Sequence, residues 1–160
     1  KIDLKEQCDL YRSFEPAESL LNDSKFSQMR GQFDFAFTSP PYFGKEKYSE
    51  DETQSFIRYK TYENWRNGFL TGLIKSTYEL LKTGAEFWLN IADVNKNSGD
   101  DIYYPLEQDS LDIAQSIGFE HVDTYYMVQH SFPGYKGKSH LLELDGKYKK
   151  YEPILCFSKV

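Results

Sequence analysis

The sequence contains little of what several common classes of protein require. Only two cysteines, Cys8 and Cys156, lie in its 160 residues, so a disulfide framework and a structural zinc site both lack their ligands. The three histidines show no metal-binding spacing. No apolar run approaches the roughly 18 residues of a membrane span, and no signal-like segment opens the chain. We therefore expect a cytoplasmic protein with no metal and no membrane partner.

Positive charge is in the minority. Nineteen Lys and Arg stand against 25 Asp and Glu, which gives a net charge of −6. Sequence-independent binding to a phosphate backbone needs clustered cations, so the surface as a whole does not suit it. A local basic strip remains, formed by Lys136, Lys138, Lys147, Lys149 and Lys150. We predict a mobile loop over residues 131–150 that touches nucleic acid, with an ordinary solvated loop as the alternative.

Aromatic residues are abundant, with 12 Phe, 13 Tyr and 2 Trp. Aromatic side chains carry large buried areas and flat faces, so they suit both a core and a stacking surface. The length of the chain predicts one domain over residues 1–160.

Apolar patterning predicts an alternation of strands and helices. After a helical turn at 15–18, the predicted helices are 61–82, capped by Thr61 and closed by Lys82 and Gly84, and 106–117, ending at Gly118. Predicted strands cover residues 8–13, 33–38, 85–92, 119–129 and 152–158. A long loop follows the second strand from residue 41 to residue 60. This order predicts a doubly wound α/β sheet closed by an antiparallel pair, with ligands at the carboxyl ends of its strands.

The segment Thr38-Ser39-Pro40-Pro41-Tyr42 follows a predicted strand directly. Two consecutive prolines fix two φ angles and remove two N–H donors, which makes a rigid bend. The Ser39 hydroxyl and the Pro40 carbonyl can both accept hydrogen bonds from an exocyclic amine, and the Tyr42 ring offers a face to a base. Such acceptors would turn the lone pair of the amine towards an electrophile.

Residues 34–42, Asp-Phe-Ala-Phe-Thr-Ser-Pro-Pro-Tyr, resemble motif IV of the S-adenosylmethionine-dependent amino-methyltransferases that modify DNA on N4 of cytosine or N6 of adenine. Most of the chain from residue 33 onward follows the order of that family. The resemblance implies a partial Rossmann-like class I methyltransferase fold, a mixed sheet with a C-terminal antiparallel hairpin. It also implies DNA as partner, S-adenosylmethionine as cofactor, and a flipped base stacked on Tyr42. The implied catalytic residues are Ser39, Pro40, Pro41 and Tyr42.

The sequence departs from that family in one respect. The glycine-rich Phe-x-Gly-x-Gly turn that holds the cofactor does not occur. We therefore expect a catalytic part of a longer enzyme, inactive and without appreciable cofactor binding by itself. A remaining acid for the cofactor's adenine amine would be Glu18 or Glu15, although either suits an ordinary helix start. Missing strands would leave one sheet edge open, so a second copy or a partner chain is expected to cover it.

Three further residues are candidates for substrate binding, each with a structural alternative. Phe43 would form a wall of the pocket or pack under the loop. Asp93 would face the crevice at the carboxyl ends of the strands, or would be an ordinary turn residue. Tyr151 would form a second stacking wall or pack at an edge. The rival functions are methylation of a protein amide or an RNA amine, and a non-catalytic, truncated methyltransferase-like module that binds nucleic acid or a partner chain. The missing glycine-rich turn favours the non-catalytic module.

Overall fold

Helices and strands alternate along the chain in the computed structural model, which describes residues 11–45, 52, 54–96, 103–129 and 141–160. The helical elements are a 3-10 helix Ala17–Asn22, α1 Ser24–Gln28, α2 Ser55–Arg58, α3 Tyr62–Asn64, a π-helical segment Trp65–Leu70, α4 Thr71–Leu80 and α5 Leu106–Ile117. The strands are β1 Phe33–Thr38, β2 Leu81–Asn90, β3 Val94–Asn95, β4 Tyr103–Tyr104, β5 Phe119–Val128, β6 Leu141–Leu144 and β7 Lys147–Lys159. Within the described ranges, no helix combines the length and apolarity that crossing a membrane requires.

The main sheet is mixed, with the strand order β1-β2-β7-β5. β1 and β2 run parallel, whereas β7 runs antiparallel to both β2 and β5, between which it lies. β6 adds to β7 as a hairpin, and β3 pairs with β4 in a separate two-stranded sheet. The prediction of a mixed α/β sheet that ends in an antiparallel hairpin is confirmed.

One face of the sheet carries the hydrophobic core. Side chains of a strand alternate between its two faces, so Phe87 and Leu89 of β2 and Phe157 of β7 point the same way, and all three are fully buried. Ile74 of α4 and Leu106 of α5 belong to the same buried cluster. Burial of a side chain of this size contributes about 1.5–3 kcal/mol, so packing against the two helices holds the sheet in place.

The opposite face carries an open aromatic row. Phe35 of β1 contacts Trp88 of β2 with ring centroids 5.6 Å apart, and Trp88 contacts Tyr125 of β5 at 5.5 Å. Phe35 and Tyr125 are about half exposed, as is Phe37. A contiguous exposed apolar surface of this kind usually marks an interaction site.

The predicted strand 8–13 is wrong for its described part, and residues 8–10 lie outside the described residues. Residues 11–13 form no strand. Instead, the hydroxyl of Ser13 donates to the carboxylate of Asp23, 2.8 Å away, and Asp23 also accepts from the N–H of Lys25 at the start of α1. The segment is therefore tied to a helix terminus rather than to a sheet. Neither α1 nor α2 is predicted by the sequence.

The predicted helix 61–82 begins as expected and ends two residues early. Thr61 accepts from the N–H of Asn64 as its N-cap, which confirms the predicted start. The helix stops at Leu80 because β2 begins at Leu81. Gly84, predicted as the helix end, has φ +80° inside β2, where the pairing with β1 shifts. A glycine tolerates that left-handed conformation, so the irregularity falls there.

The predicted strand 85–92 overlaps the C-terminal part of β2, but β2 ends two residues earlier, at Asn90. The N–H of Ile91 still donates to the carbonyl of Pro153 in β7, 3.2 Å away. Pro153 has no N–H to return, so the regular ladder between the two strands stops there.

The loop predicted over residues 131–150 is wrong for its second half. Residues 141–150 form the hairpin of β6 and β7, in which Lys149 pairs with Leu142 and Lys150 with Leu141. Asp145 and Gly146 at its tip both have positive φ, as a two-residue Asp-Gly hairpin turn requires. This dipeptide is the signal that the loop prediction overlooked. Residues 130–140, which include Lys136 and Lys138, lie outside the described residues.

Helix α5 matches its predicted bounds, and Gly118 ends it at φ +121°. A residue other than glycine costs roughly 1–2 kcal/mol in the left-handed conformation. We expect Gly118→Ala to lower the free energy of unfolding by more than this, because its new Cβ would lie 2.9 Å from the Tyr78 hydroxyl. Gly31→Ala is the matched control, since Gly31 has φ +66° and no atom within 4 Å. Urea denaturation measures both. Equal losses in the two variants would contradict the contact with Tyr78.

Candidate active site

The motif predicted to carry the chemistry lies at the carboxyl end of the two parallel strands. β1 ends at Thr38, and the chain leaves the sheet through Ser39, Pro40 and Pro41. Pro40 is buried, so the bend is held by packing as well as by the proline rings. The N-terminal half of β7, which runs antiparallel to β2, reaches the same edge. Residues from three strands therefore meet around the motif.

The Ser39 side chain is held by a buried amide. Its Oγ donates to Oδ1 of Asn90, the last residue of β2, across 3.1 Å. Nδ2 of Asn90 donates in turn to the carbonyl of Pro153, also 3.1 Å away. Asn90 is only 4% exposed. No described residue donates to the carbonyl of Pro40. Ser39 and Pro40, the two acceptors that the sequence predicts, are consecutive residues at this edge of the sheet.

An open pocket of about 270 Å³ lies beside the motif. Its walls come from β1, the motif, the 3-10 helix, α2 and the helix before β2. The lining residues are Pro16, Ala17, Glu18, Thr38, Ser39, Pro40, Pro41, Gln54, Ser55, Phe69 and Leu73. Of the two acids predicted for the cofactor, Glu18 lines this pocket and Glu15 does not.

Glu18 is a buried carboxylate with two partners on one oxygen. Its side chain is 4% exposed, and Oε1 accepts from a guanidinium N–H of Arg58 at 2.7 Å and from the hydroxyl of Tyr59 at 3.1 Å. Burial and, next to it, the charge of Glu18 raise the pKa of the Tyr59 hydroxyl above its ordinary value. Tyr59 therefore remains a donor at neutral pH. No described residue donates to Oε2, and Glu18 lines the pocket.

Two glycines one helical turn apart make this arrangement possible. A Cβ at Gly72 would lie 2.8 Å from the Cβ of Glu18, and a Cβ at Gly68 would lie 2.2 Å from the Tyr59 ring. Both separations are shorter than real carbon contacts allow. The absence of side chains at these positions lets the 3-10 helix and Tyr59 approach the helix closely enough to place Glu18 in the pocket.

The two aromatic residues after the prolines are partly buried and contact the core. Tyr42 packs against the core cluster and does not line the pocket. Phe43 belongs to an aromatic cluster in which its ring centroid lies 5.5 Å from Tyr62, 6.1 Å from Trp65 and 5.0 Å from Tyr104. For Phe43, the structure therefore shows the packing alternative.

Asp93 and Tyr151 also have structural partners. Oδ1 of Asp93 accepts from the N–H of Glu107 at 2.9 Å, and Glu107 Oε1 accepts from the N–H of Asp93 at 3.3 Å. Asp93 thus satisfies a free N–H in the first turn of α5. Tyr151 packs edge-on against Tyr126 with centroids 4.9 Å apart. Burial, followed by the charge of Glu107, raises the pKa of the Tyr151 hydroxyl.

Sequence reasoning missed three residues that hydrogen-bond to lining residues of the pocket. Asn90, Arg58 and Tyr59 were not candidates. Asn90 carried a usable signal, because a polar residue at the end of the apolar run Phe87-Trp88-Leu89 needs a partner if it is buried. Arg58 and Tyr59 carried none, since they reach Glu18 across 40 and 41 residues of sequence.

A protein-family model covers most of the sequence. This model, N6_N4_Mtase, described as DNA methylase, matches residues 33–160. No curated protein matches the chain.

Solved structures show the same fold at low sequence identity. A Thermus thermophilus protein described as a putative DNA modification methylase, solved with S-adenosyl-L-methionine, superposes with a TM-score of 0.61 at 19% identity, over 91% of this chain and 53% of its own. PvuII DNA methyltransferase, cytosine-N4-specific, gives a TM-score of 0.59 at 18% identity, over 91% of this chain and 47% of its own. The chain spans about half the length of these solved proteins.

The contacts of Asp93 lead to a prediction. Asp93→Ala removes an acceptor from the first turn of α5, so we expect the free energy of unfolding to fall by about 0.5–2 kcal/mol. Asp93→Asn keeps an acceptor and should lose less. Asp112→Ala, on the exposed side of the same helix, is the control and should lie within about 0.5 kcal/mol of the unmodified chain. An unchanged stability of Asp93→Ala in urea denaturation would contradict the capping role and favour the crevice-facing alternative.

Proposed function

Because the chain belongs to the DNA methylase family that residues 33–160 match, we propose that the protein transfers a methyl group from S-adenosylmethionine to an exocyclic amino group of DNA. N4 of cytosine is the first choice and N6 of adenine the second. One observation carries the proposal. Ser39, which carries a hydroxyl, and Pro40, which carries a carbonyl with no described donor, are consecutive on a rigid bend at the carboxyl edge of the sheet, and both line a pocket that contains the buried carboxylate of Glu18.

The two acceptors on the bend would orient the amino group of the base. An amino group conjugated with an aromatic ring is a weak nucleophile because its lone pair is delocalised into the ring. Hydrogen bonds from its two N–H groups to Ser39 and Pro40 hold the nitrogen so that the lone pair turns out of conjugation. When bound, S-adenosylmethionine supplies the methyl group from a sulfonium, whose S–C electron pair stays on sulfur as the N–C bond forms. The nitrogen then loses one proton, for which the acceptors offer a path to solvent.

The pocket fits one end of that cofactor. Oε2 of Glu18 can accept a hydrogen bond from the adenine amine, and Leu73 and Phe69 offer apolar walls to a planar ring. Arg58 and Tyr59 hold the carboxylate in place. We propose Glu18 rather than Glu15 for this role, since Glu15 is exposed and outside the pocket.

We propose DNA as the macromolecular partner, which agrees with the cytoplasmic location expected from the sequence. Tyr42 would stack the flipped base, which requires its half-buried ring to become accessible when DNA binds. Lys149 and Lys150 of the hairpin are candidates for phosphate contacts.

A second copy of the chain or another chain is proposed to cover the β1 edge. In the part of the chain that the structure describes, β1 pairs only with β2 in the main sheet, and an unpaired strand edge is a template for association.

Substitutions in the motif test the transfer activity in the natural full-length protein. Ser39→Ala removes one acceptor of the amine, and we expect kcat to fall by roughly 10²-fold, as for other lost positioning groups. Tyr42→Ala removes about 1–3 kcal/mol of stacking, whereas Tyr42→Phe keeps the ring and serves as the control. Methyl transfer to a DNA duplex is measured with labelled cofactor. Near-normal turnover by both Ser39→Ala and Tyr42→Ala would refute the catalytic assignment and favour the non-catalytic module.

The role of Glu18 is tested by calorimetric titration of the natural full-length protein with S-adenosylmethionine. Glu18→Gln removes the charged acceptor at constant size, and the loss of about 1.5–3 kcal/mol should weaken the affinity by roughly 10- to 150-fold. Glu15→Gln is the matched control and should bind normally. The 160-residue chain alone should bind more weakly than micromolar, since one such bond falls short of about 8 kcal/mol. Equal affinities of the two variants would contradict the proposed role.

A further inference from the structure

We infer that Asn90 is a positioning residue for the proposed transfer. It fixes the direction of the Ser39 hydroxyl hydrogen, so that only oxygen lone pairs face the amino group of the substrate. This inference rests on the proposed function and extends it to a residue outside the motif, 51 positions away along the chain.

The orientation of the Asn90 amide follows from its two partners. Pro153 offers a carbonyl, which can only accept, so the amide must direct Nδ2 towards it. Oδ1 then faces Ser39 and can only accept, which makes the hydroxyl of Ser39 the donor in the 3.1 Å contact. The reverse orientation would bring two oxygens, Oδ1 and the Pro153 carbonyl, against each other. The backbone carbonyl of Pro153 therefore sets which group donates and which accepts in both hydrogen bonds, from Ser39 to Asn90 and from Asn90 to Pro153.

The Pro153 carbonyl, which ends these two hydrogen bonds, is held in place by the sheet. The carbonyl of Pro153 also accepts from the N–H of Ile91, and Pro153 lies in β7 between β2 and β5. Asn90 itself stands between Leu89 and Ile91, both of which are fully buried. Burying a side-chain amide costs free energy unless both its nitrogen and its oxygen are hydrogen-bonded. Here Nδ2 of Asn90 bonds to β7 and Oδ1 bonds to Ser39.

The direction of the hydroxyl matters for the chemistry. A serine hydroxyl has one hydrogen and two lone pairs. If that hydrogen were free to rotate, it could donate to the amino nitrogen and occupy the lone pair that must attack the methyl group. Because Asn90 takes the hydrogen, Ser39 offers only acceptors to the substrate. Asn90 would thus remove an unproductive hydrogen bond without touching the reacting atoms.

Two substitutions of Asn90 separate this role from packing. Asn90→Leu has nearly the same size and leaves the Pro153 carbonyl bonded to Ile91, so we expect a folded protein whose kcat falls by about 10- to 100-fold while KM for DNA changes less than twofold. Asn90→Asp keeps an oxygen towards Ser39, and the protonated form of this buried carboxyl can donate to the Pro153 carbonyl in place of Nδ2, so it should recover part of kcat relative to Asn90→Leu. Ser110→Ala is the matched control for loss of a buried polar group and should leave kcat unchanged, because the Ser110 hydroxyl donates to the Leu106 carbonyl within α5.

A double-mutant cycle gives the decisive comparison. In a Ser39→Ala background, no hydroxyl remains to orient, so adding Asn90→Leu should change kcat less than twofold. Full additivity of the two losses, or no recovery by Asn90→Asp, would assign Asn90 a merely structural role and overturn the inference. Normal kcat in Asn90→Leu together with a loss in Ser39→Ala would overturn the inference and leave the proposed function standing. Normal kcat in Ser39→Ala itself would refute the proposed function.

Discussion

The carbonyl of Pro153 accepts hydrogen bonds from the N–H of Ile91 and from Nδ2 of Asn90, and the geometry of the candidate site depends on this pair. Proline cannot return a hydrogen bond, so the ladder between β2 and β7 ends at this level. Asn90 is thereby left to join β7 to Ser39 across the end of β2. A break in the regular sheet thus creates the place where polar groups of three strands meet.

The two sides of the pocket are built in different ways. The side with Ser39 and Pro40 is made from consecutive residues, whose prolines restrict the backbone before any tertiary contact forms. The side with Glu18 is made from segments that are distant in sequence and joined by close packing. Gly72 lets the 3-10 helix approach, and Arg58 and Tyr59 hold the carboxylate. Because Glu18 depends on several segments being in position, its place in the pocket is a property of the assembled domain.

The aromatic residues serve two opposite faces of one sheet. Phe87 and Phe157 are fully buried beneath the helices, whereas Phe35, Trp88 and Tyr125 form a row on the other face that is open to solvent at both ends. Alternation along each strand is enough to separate the two sets. The buried set accounts for the stability of the sheet, and the open set leaves an exposed apolar surface on its other face.

Local patterns in the sequence determined β1, α5 and the position of the Thr38–Tyr42 motif, because alternation, helical spacing, a glycine end and consecutive prolines act within a few residues. The Asp145-Gly146 turn was local as well and was overlooked. Only the tertiary structure placed Glu18 in the pocket and left Glu15 outside it, packed Phe43 against other aromatic rings, bonded Asp93 to the start of α5, and joined Asn90 to Ser39. Each of these outcomes depends on contacts between segments that are distant along the chain, and in such cases residue type shows that a partner is needed but not which partner is near.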